Sequence, residues 1–286
     1  MNGLLITNKY MASEKFETLK KSFIDAANNL NLKLDYMNNL ESYDLLSEPI
    51  KYDFIIFYDK DTKLARMLEE HGYRLFNSSE AIATCDDKFL TYMKLVDKVR
   101  QPMTIASPFL YYGDLSSDQE FIKKCEEKFS YPMIIKECLG SFGMQVYKVD
   151  SNSELVNCIK QIGNKAFIVQ EFIETSFGKD VRLQVVGDKV VCAMMRINDK
   201  GDFRANVTNG AVPYEYTPSD EECELAVKAA KEIGVDFAGV DLLFGNDSDR
   251  LFCEINSNAH LEIIGKVSKV NVYKKILEYI LKEVKA

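Results

Sequence analysis

The residues of this chain best placed to do chemistry are three oxygen donors, Asp241, Glu254 and Asn256. They stand in two apolar runs, 239–244 and 251–256, separated by the polar segment 245–250. Such runs read as a β-hairpin with a longer loop. A register centred on that loop sets Phe244 opposite Leu251 and Asp241 opposite Glu254. Directly opposed side chains sit roughly 4.5–5.5 Å apart, where like charges repel. Alternation along a strand puts Asn256 on the face of Glu254 and leaves Leu242, Phe244, Cys253 and Ile255 on the apolar face. A solvated polar face would explain a lone Asp or Glu, whereas three converging donors favour a hard cation. Mg²⁺ takes few carboxylates, keeps waters and is completed by phosphate oxygens. With a pair of ions, Glu254 is placed to bridge.

A metal of this kind asks for a phosphate, and the sequence offers several places to hold one. Lys136 ends the apolar strand 132–136, and Leu-Gly-Ser-Phe-Gly follows at 139–143. Gly140 and Gly143 permit positive φ and let backbone N–H groups approach an anion. No Gly-Lys-Ser/Thr follows, so this is not a Walker A loop. Lys88 opens a helix that Asp86 or Asp87 caps. A cation there opposes the helix dipole by a few tenths of a kcal/mol, which favours an anion partner, either a ligand or the aspartates themselves. In the buried strand 166–173, Gln170 and Glu171 need partners. An adenine edge on the backbone of 171–173 would supply them, as would a salt bridge from Glu171 to a lysine. Arg204 lies in 201–210, a glycine-flanked polar segment without apolar periodicity, so packing does not account for it.

The elements that position these residues read in order. A strand at 4–6 leads to a helix over 13–30, capped by Ser13, with Phe16, Leu19, Phe23, Ile24 and Ala27 as its apolar stripe. A continuous apolar strand (53–58), a helix (61–70), a third strand (73–76) and a helix start at 77–80 complete a β-α-β-α-β pattern, hence a small parallel sheet. With no glycine-rich turn after its first strand, a dinucleotide site is not expected there. Residues 101–112 read as an irregular, Pro-containing connector. A helix (118–129), the 132–136 strand, a strand near 146, a helix (151–162) and the 166–173 strand follow. The hairpin 181–191 turns on Gly187-Asp188 in the II′ manner, with Asp180 and Arg182 at one end and Arg196 at the other. A capped helix (218–234) precedes the central hairpin, and the tail from 268 to 285 reads as helix with a solvated lysine face.

With 286 residues, 47% hydrophobic and 28% charged, the chain has the composition of an ordinary globular protein large enough for two or three subdomains. A net charge of −8 gives no footprint for nucleic acid or an anionic membrane. Seven scattered cysteines without CxxC spacing argue for a reducing compartment and against a thiolate metal site. Cys138 and Cys253 read as core. No apolar run is long enough to span a bilayer, and no leader pattern precedes Leu4, so cytoplasm is the expectation.

Taken together, the segments IIKECLGSFG, VQEFIE, KDVRLQVVGDKVV, GDFRANVTNGA, DFAGVDLL and CEINSNAH resemble the ATP-grasp superfamily, specifically its RimK-like carboxylate–amine ligases. The resemblance spans essentially the whole chain. It implies an α/β (α+β) fold with an N-terminal parallel-sheet domain over 1–100 and an ATP-grasp domain over 101–286, divided into a lid (about 115–173) and a larger part (174–286). It implies ATP and two Mg²⁺ ions, for which Mn²⁺ could stand in. Lys88 and Lys136 would contact the phosphates, and Gln170, Glu171, Phe172 and Ile173 would hold adenine. Asp180, with Arg182 beside it, would lie near ribose and substrate. Arg204 and Asn206 would meet the transferred phosphate and acyl group, and Asp241, Glu254 and Asn256 would hold the metals.

The activity implied is ATP-driven amide formation through an acyl phosphate, adding an amino acid such as glutamate to a small molecule or peptide. Its partners are ATP, a carboxylate and an amine, with oligomerisation open. The rival reading is an ATP-binding regulatory or scaffold protein without turnover. Two departures bear on the acceptor. Asn256 is followed by Ser257-Asn258-Ala259-His260 where ribosomal-protein glutamate ligases continue Ser-Pro-Gly, and Thr208-Asn209-Gly210-Ala211 lacks their basic residue. His260 either contacts substrate or packs a loop.

Overall fold

The computed structural model describes all residues except 12, 13, 141, 142, 247, 248 and 286, and describes residue 15 without its side chain. The expected Ser13 cap, Ser141 and Phe142 of the glycine loop, and the centre of the 245–250 turn therefore lie outside the described residues.

The first layer comprises β1 (Asn2–Thr7), α1 (Glu14–Asn29), β2 (Lys33–Asn38), β3 (Phe54–Tyr58), α2 (Thr62–His71), β4 (Leu75–Phe76), α3 (Ser79–Asp86) and α4 (Lys88–Leu95). Its four strands are parallel, in the order β2-β1-β3-β4. The unbroken apolar runs of β1 and β3 follow from burial on both faces. Leu5, Phe54 and Ile56 face one core with Phe23 of α1, while Leu4, Ile6, Ile55 and Phe57 face another with Leu64 and Leu68 of α2. Sequence reading passed over β2, an edge strand whose Lys33-Leu-Asp-Tyr-Met-Asn38 is only partly buried.

The second layer holds β5 (Thr104–Ala106), α5 (Gln119–Lys128), β6 (Met133–Glu137), β7 (Val146–Val149), α6 (Asn152–Ile162) and β8 (Phe167–Glu171), with strand order β5-β8-β6-β7. Helices α5 and α6 pack on one face through Phe121, Ile122, Leu155 and Ile159, so the opposite face is free to form a site wall. The expected irregular connector at 101–112 thus contains a strand. Its three residues are too few to show alternation, and antiparallel pairing with β8 is what orders them.

The third layer comprises β9 (Lys179–Val186), β10 (Lys189–Ile197), β11 (Val212–Glu215), α7 (Asp220–Ile233), β12 (Phe237–Phe244), β13 (Arg250–Asn256), α8 (Leu261–Ser268) and α9 (Val272–Lys285). Its antiparallel sheet runs β11-β10-β9-β12-β13. The β9–β10 turn uses Gly187 at φ 62, as a II′ turn requires. One face (Val181, Leu183, Val185, Val240, Leu242, Phe252, Ile255) packs against Ala226, Ala229, Ala230 and Ile233 of α7. Alternation then commits Asp180, Arg182, Asp241, Glu254 and Asn256 to the other face. The helix expected over 268–285 is α9, which starts at Val272; α8, which sequence reading passed over, precedes it and is capped by Lys269 at φ 59.

The first and third layers are pinned together by polar bonds as well as by a shared core. The Asn77 amide donates to the Phe237 carbonyl at 2.9 Å and accepts from the Asp236 N–H at 2.7 Å. The Tyr58 hydroxyl donates to the Ala259 carbonyl, tying the end of β3 to the loop after β13.

Candidate functional site

The central hairpin pairs Asp241 with Glu254 and Gly239 with Asn256, but its register shifts between Asp241 and Leu242. Leu242 faces Phe252, Leu243 faces Leu251 and Phe244 faces Arg250, so the expected Phe244–Leu251 pairing is wrong by one residue. Cys253 is the extra residue of the resulting bulge. A bulge re-aims side chains. Phe252 takes the core position expected of Cys253, and the thiol turns to the site wall, 3.9 Å from Lys136 Nζ. Burial pushes that thiol up to about 11 despite the neighbouring ammonium. Cys138 is buried, as expected.

Asp241 belongs to a buried cluster of two carboxylates and two guanidiniums. Arg182 donates from Nε to Asp241 Oδ1 and from Nη2 to Oδ2, both at 2.6 Å. Arg196 donates to Asp241 Oδ2 at 2.9 Å and grips both oxygens of Asp180. The β9–β10 register places Arg196 opposite Asp180, so residues that sequence reading set at opposite ends of the hairpin meet at its open end. Burial raises the Asp241 carboxyl, but the two arginines outweigh it and hold it below its ordinary range. Burial, helped by the nearby Asp241 charge, pushes Asp180 up to about 6 against the pull of Arg196. Burial disfavours the Arg196 charge, and the two carboxylates more than restore it.

The donor set fits a hard cation. An ionised carboxylate has about four lone-pair positions; three of those on Asp241 are used, and one remains on Oδ1. Among the described residues no hydrogen bond or ion pair engages the Glu254 carboxylate or the Asn256 amide. Only two donors are carboxylates, and no group of three His, Cys, Asp or Glu residues suited to a metal is found among the described residues.

A slot of about 110 Å³ lies between the β5-β8-β6-β7 sheet and the five-stranded sheet. Lys136, Gln170, Glu171, Phe172, Ile173, Asp180, Arg204, Asn206, Asp241 and Glu254 all line it. Its apolar walls are Ile134 of β6 and Val146 of β7 on one side and Leu243 of β12 on the other, with Phe172 and Phe203 in edge-to-face contact at 6.5 Å. Sequence reading did not single out Ile134, Val146, Leu243 or Phe203. Period two would have found Ile134, two residues before Lys136 on the same face.

The polar side chains at the end of β8 are satisfied internally. Gln170 donates to Thr104 Oγ1 at 2.8 Å, and Glu171 accepts the Met103 N–H at 2.7 Å. Among the described residues their side-chain partners are Thr104 of the overlooked strand β5 and Met103 just before it, and not a lysine. Lys136 has no carboxylate partner among the described residues. Lys88 opens on a smaller cavity that Lys136 and Glu254 also line, and its ammonium lies 3.4–3.5 Å from the carbonyls of Gly140 and Cys138. The nearby aspartates are engaged elsewhere: Asp87 caps α4 and Asp86 pairs with Lys60.

Arg204 donates to both oxygens of Asp202 and, from Nη1, to the Gly143 carbonyl at 2.8 Å. Gly143 has φ 70, and a Cβ there would meet Asn206 Oδ1 at 2.7 Å. Gly143 therefore seats directly on the 204–206 segment, and only glycine allows that approach.

Arg182 and Asn256 do not line the slot. They line a neighbouring cavity of about 230 Å³ between the first and third layers, which shares Asn206 and Glu254 with the slot. Residues 257–260 form part of its wall, and a third cavity of about 160 Å³ adds Thr208 and Arg196. Both sequence departures noted above therefore border these cavities. His260 is edge-on to Phe16, with 6.4 Å between ring centres.

The model of the RimK-like ATP-grasp domain matches residues 85–280. A Mycoplasma pneumoniae protein named "Uncharacterized protein MG012 homolog" is 34% identical over 262 residues, covering 88% of this chain and 90% of its own. A "Probable alpha-L-glutamate ligase" of Legionella pneumophila is 36% identical over 227 residues, covering 78% and 72%. Among solved structures, the ATP-grasp ligase PsnB, complexed with a phosphomimetic variant of its minimal precursor, Mg and ADP, superposes with a TM-score of 0.72 over 98% of each chain at 15% identity. At that identity the likeness establishes the ATP-grasp fold. The chain belongs to the RimK-like ATP-grasp family and is an ATP-grasp ligase.

Proposed function

We propose that this protein joins a carboxylate to an amine with ATP, adding an amino acid such as glutamate to a small molecule or peptide. The observation that carries the reading is the pair of adjoining cavities. One is a slot lined by Lys136, which has no carboxylate partner among the described residues, and the other is a chamber between the first and third layers; Glu254 and Asn206 belong to both. A nucleotide in the slot would bring its terminal phosphate to the shared wall, where a carboxylate in the chamber could meet it.

In the proposed reaction a carboxylate oxygen attacks the γ-phosphorus and ADP departs with the bond electrons. The amine then attacks the acyl carbon, phosphate leaves, and the nitrogen sheds a proton. Such phosphoryl transfer is mostly positioning and charge neutralisation. Asp241, Glu254 and Asn256 would hold Mg²⁺, which supplies charge neutralisation when bound. Lys88 and Lys136 would hold phosphates, with adenine between Ile134, Val146, Phe172 and Leu243. Arg204 would stabilise charge on the transferred group, and Asn206 would orient the acyl group. Asp180 and Arg196 would keep Asp241 in place from below.

The test is ADP release measured against a panel of carboxylates and amines. ADP that appears only when both substrate classes are present supports the reading; ATP binding with no turnover across the panel favours the scaffold alternative.

A further inference from the structure

Asn8 and Asp59 directly follow β1 and β3, the central pair of the parallel sheet. The chain passes from β1 to β2 on one side and from β3 to β4 on the other, so strand order reverses between β1 and β3. In open α/β sheets, the crevice beyond the carboxyl ends of the strands at such a reversal is where ligands bind. Here that crevice opens into the 230 Å³ chamber, which Asn8 and Asp59 line from one side and Asn206 and Glu254 from the other.

Asp59 is only 4% exposed and is held entirely by neutral donors. The Asn8 amide donates to both of its oxygens, at 3.0 and 3.1 Å, and the Lys60 N–H donates to Oδ1 at 2.7 Å. Among the described residues no cation lies within ion-pair distance, and the Lys60 ammonium turns instead to Asp86. Burial raises the Asp59 carboxyl, as befits a charge that lacks a counter-charge. The Asp61 N–H also faces this carboxylate, so every donor around it is neutral and its charge is left without a counter-charge. A compact ammonium can supply that counter-charge through one N–H, whereas a guanidinium fork needs two parallel oxygens. The same chamber wall contains Asn258, whose buried Oδ1 is an acceptor without a partner among the described residues.

We propose that the Asn8–Asp59 pair is an ammonium-recognising subsite, and that one substrate of the ligase is an amino acid held there by its ammonium group. This rests on the ligase reading given above. The held group is a recognition handle and not the attacking nucleophile, since an amine attacks only in its neutral form. The substrate reacts through another of its groups, toward Glu254 and Asn206.

Equilibrium dialysis of the full chain with Mg²⁺ and ADP, against an equimolar mixture of the standard L-amino acids, tests the subsite without a choice of substrate. The wild type should enrich at least one of them, and should not enrich the analogue in which hydrogen replaces its ammonium. Asp59→Asn should weaken retention roughly tenfold or more, the loss of one charge-assisted hydrogen bond, with ATP affinity unchanged. No enriched amino acid, equal retention of the analogue lacking the ammonium, or equal retention by a folded Asp59→Asn protein would overturn the proposal. Should that variant fail to fold, the wild-type comparison with the analogue decides alone. Retention by a protein that binds no ATP would uphold the subsite and count against the ligase reading; ATP binding without retention does the reverse.

Discussion

Arg204→Lys separates an electrostatic role in phosphoryl transfer from a role in holding the loop. The Arg204–Asp202 pair is about a quarter exposed, with side-chain exposures of 28% and 24%. A pair that open to solvent contributes ~1 kcal/mol at most. Lysine also loses the Nη1 bond to Gly143, which contributes about 1 kcal/mol more. At ~2–4 °C per kcal/mol for a chain of this size, the melting temperature should fall by no more than about 8 °C. If the guanidinium stabilises charge on the transferred phosphate, its effect belongs to the transition state. Turnover should then fall by roughly 10²-fold or more, the usual loss for one preorganised donor, while ATP affinity changes little. Steady-state ADP release, an ATP titration and a melt on the same protein measure all three quantities. Asp202→Asn is the control, because it removes the ion pair and keeps the guanidinium, so turnover should fall far less. Unchanged turnover in Arg204→Lys refutes the catalytic role. An equal loss of ATP affinity would make Arg204 a nucleotide clamp.

Glu254→Gln should lower Mg²⁺-dependent turnover by orders of magnitude in a folded protein, because it removes a carboxylate that no group among the described residues engages; full activity would remove the bridging role. Lys136→Ala should raise the ATP dissociation constant without lowering the melting temperature, since among the described residues the Lys136 ammonium bonds only the Cys253 thiol. Lost stability with unchanged ATP affinity would instead mean that its stem packs the slot. Asp236 is raised to about 6, chiefly by burial, with Tyr279 donating to it at 2.9 Å. The folded state therefore binds a proton that the unfolded state has released, and stability falls as pH rises from about 4 to 6. Asp236→Asn should raise stability by up to about 3 kcal/mol above that window and by little below pH 4, as read from denaturation midpoints at pH 4 and 8. An equal change at both values refutes the assignment.

The long elements were legible in the sequence because their apolar period is unambiguous. The doubly buried β1 and β3, the capped α7 and the β9–β10 hairpin all stand where pattern placed them. The Asp241–Glu254 pairing was legible too, since a strand's period of two leaves little freedom. What failed were features fixed by neighbours. The bulge at Cys253 adds one residue that no local pattern marks, and it moved a thiol from the core to the site. The three-residue β5 is ordered only by β8, and with it went the partners of Gln170 and Glu171. The clamp of Arg182 and Arg196 on Asp241 joins three strands, and the two arginines lie 14 residues apart, so charge spacing could not reveal it. The chamber lies between layers, and its walls come from both ends of the chain.

The central claim is that ATP is spent on activating a carboxylate for an amine. Supplying substrates in which the carboxylate oxygens are ¹⁸O, with ATP and Mg²⁺, and weighing every product by mass tests it directly. The account predicts ADP, an amide lighter than its two precursors by one water, and one ¹⁸O atom in the released phosphate. Release of AMP and pyrophosphate, or phosphate carrying no label, would contradict it.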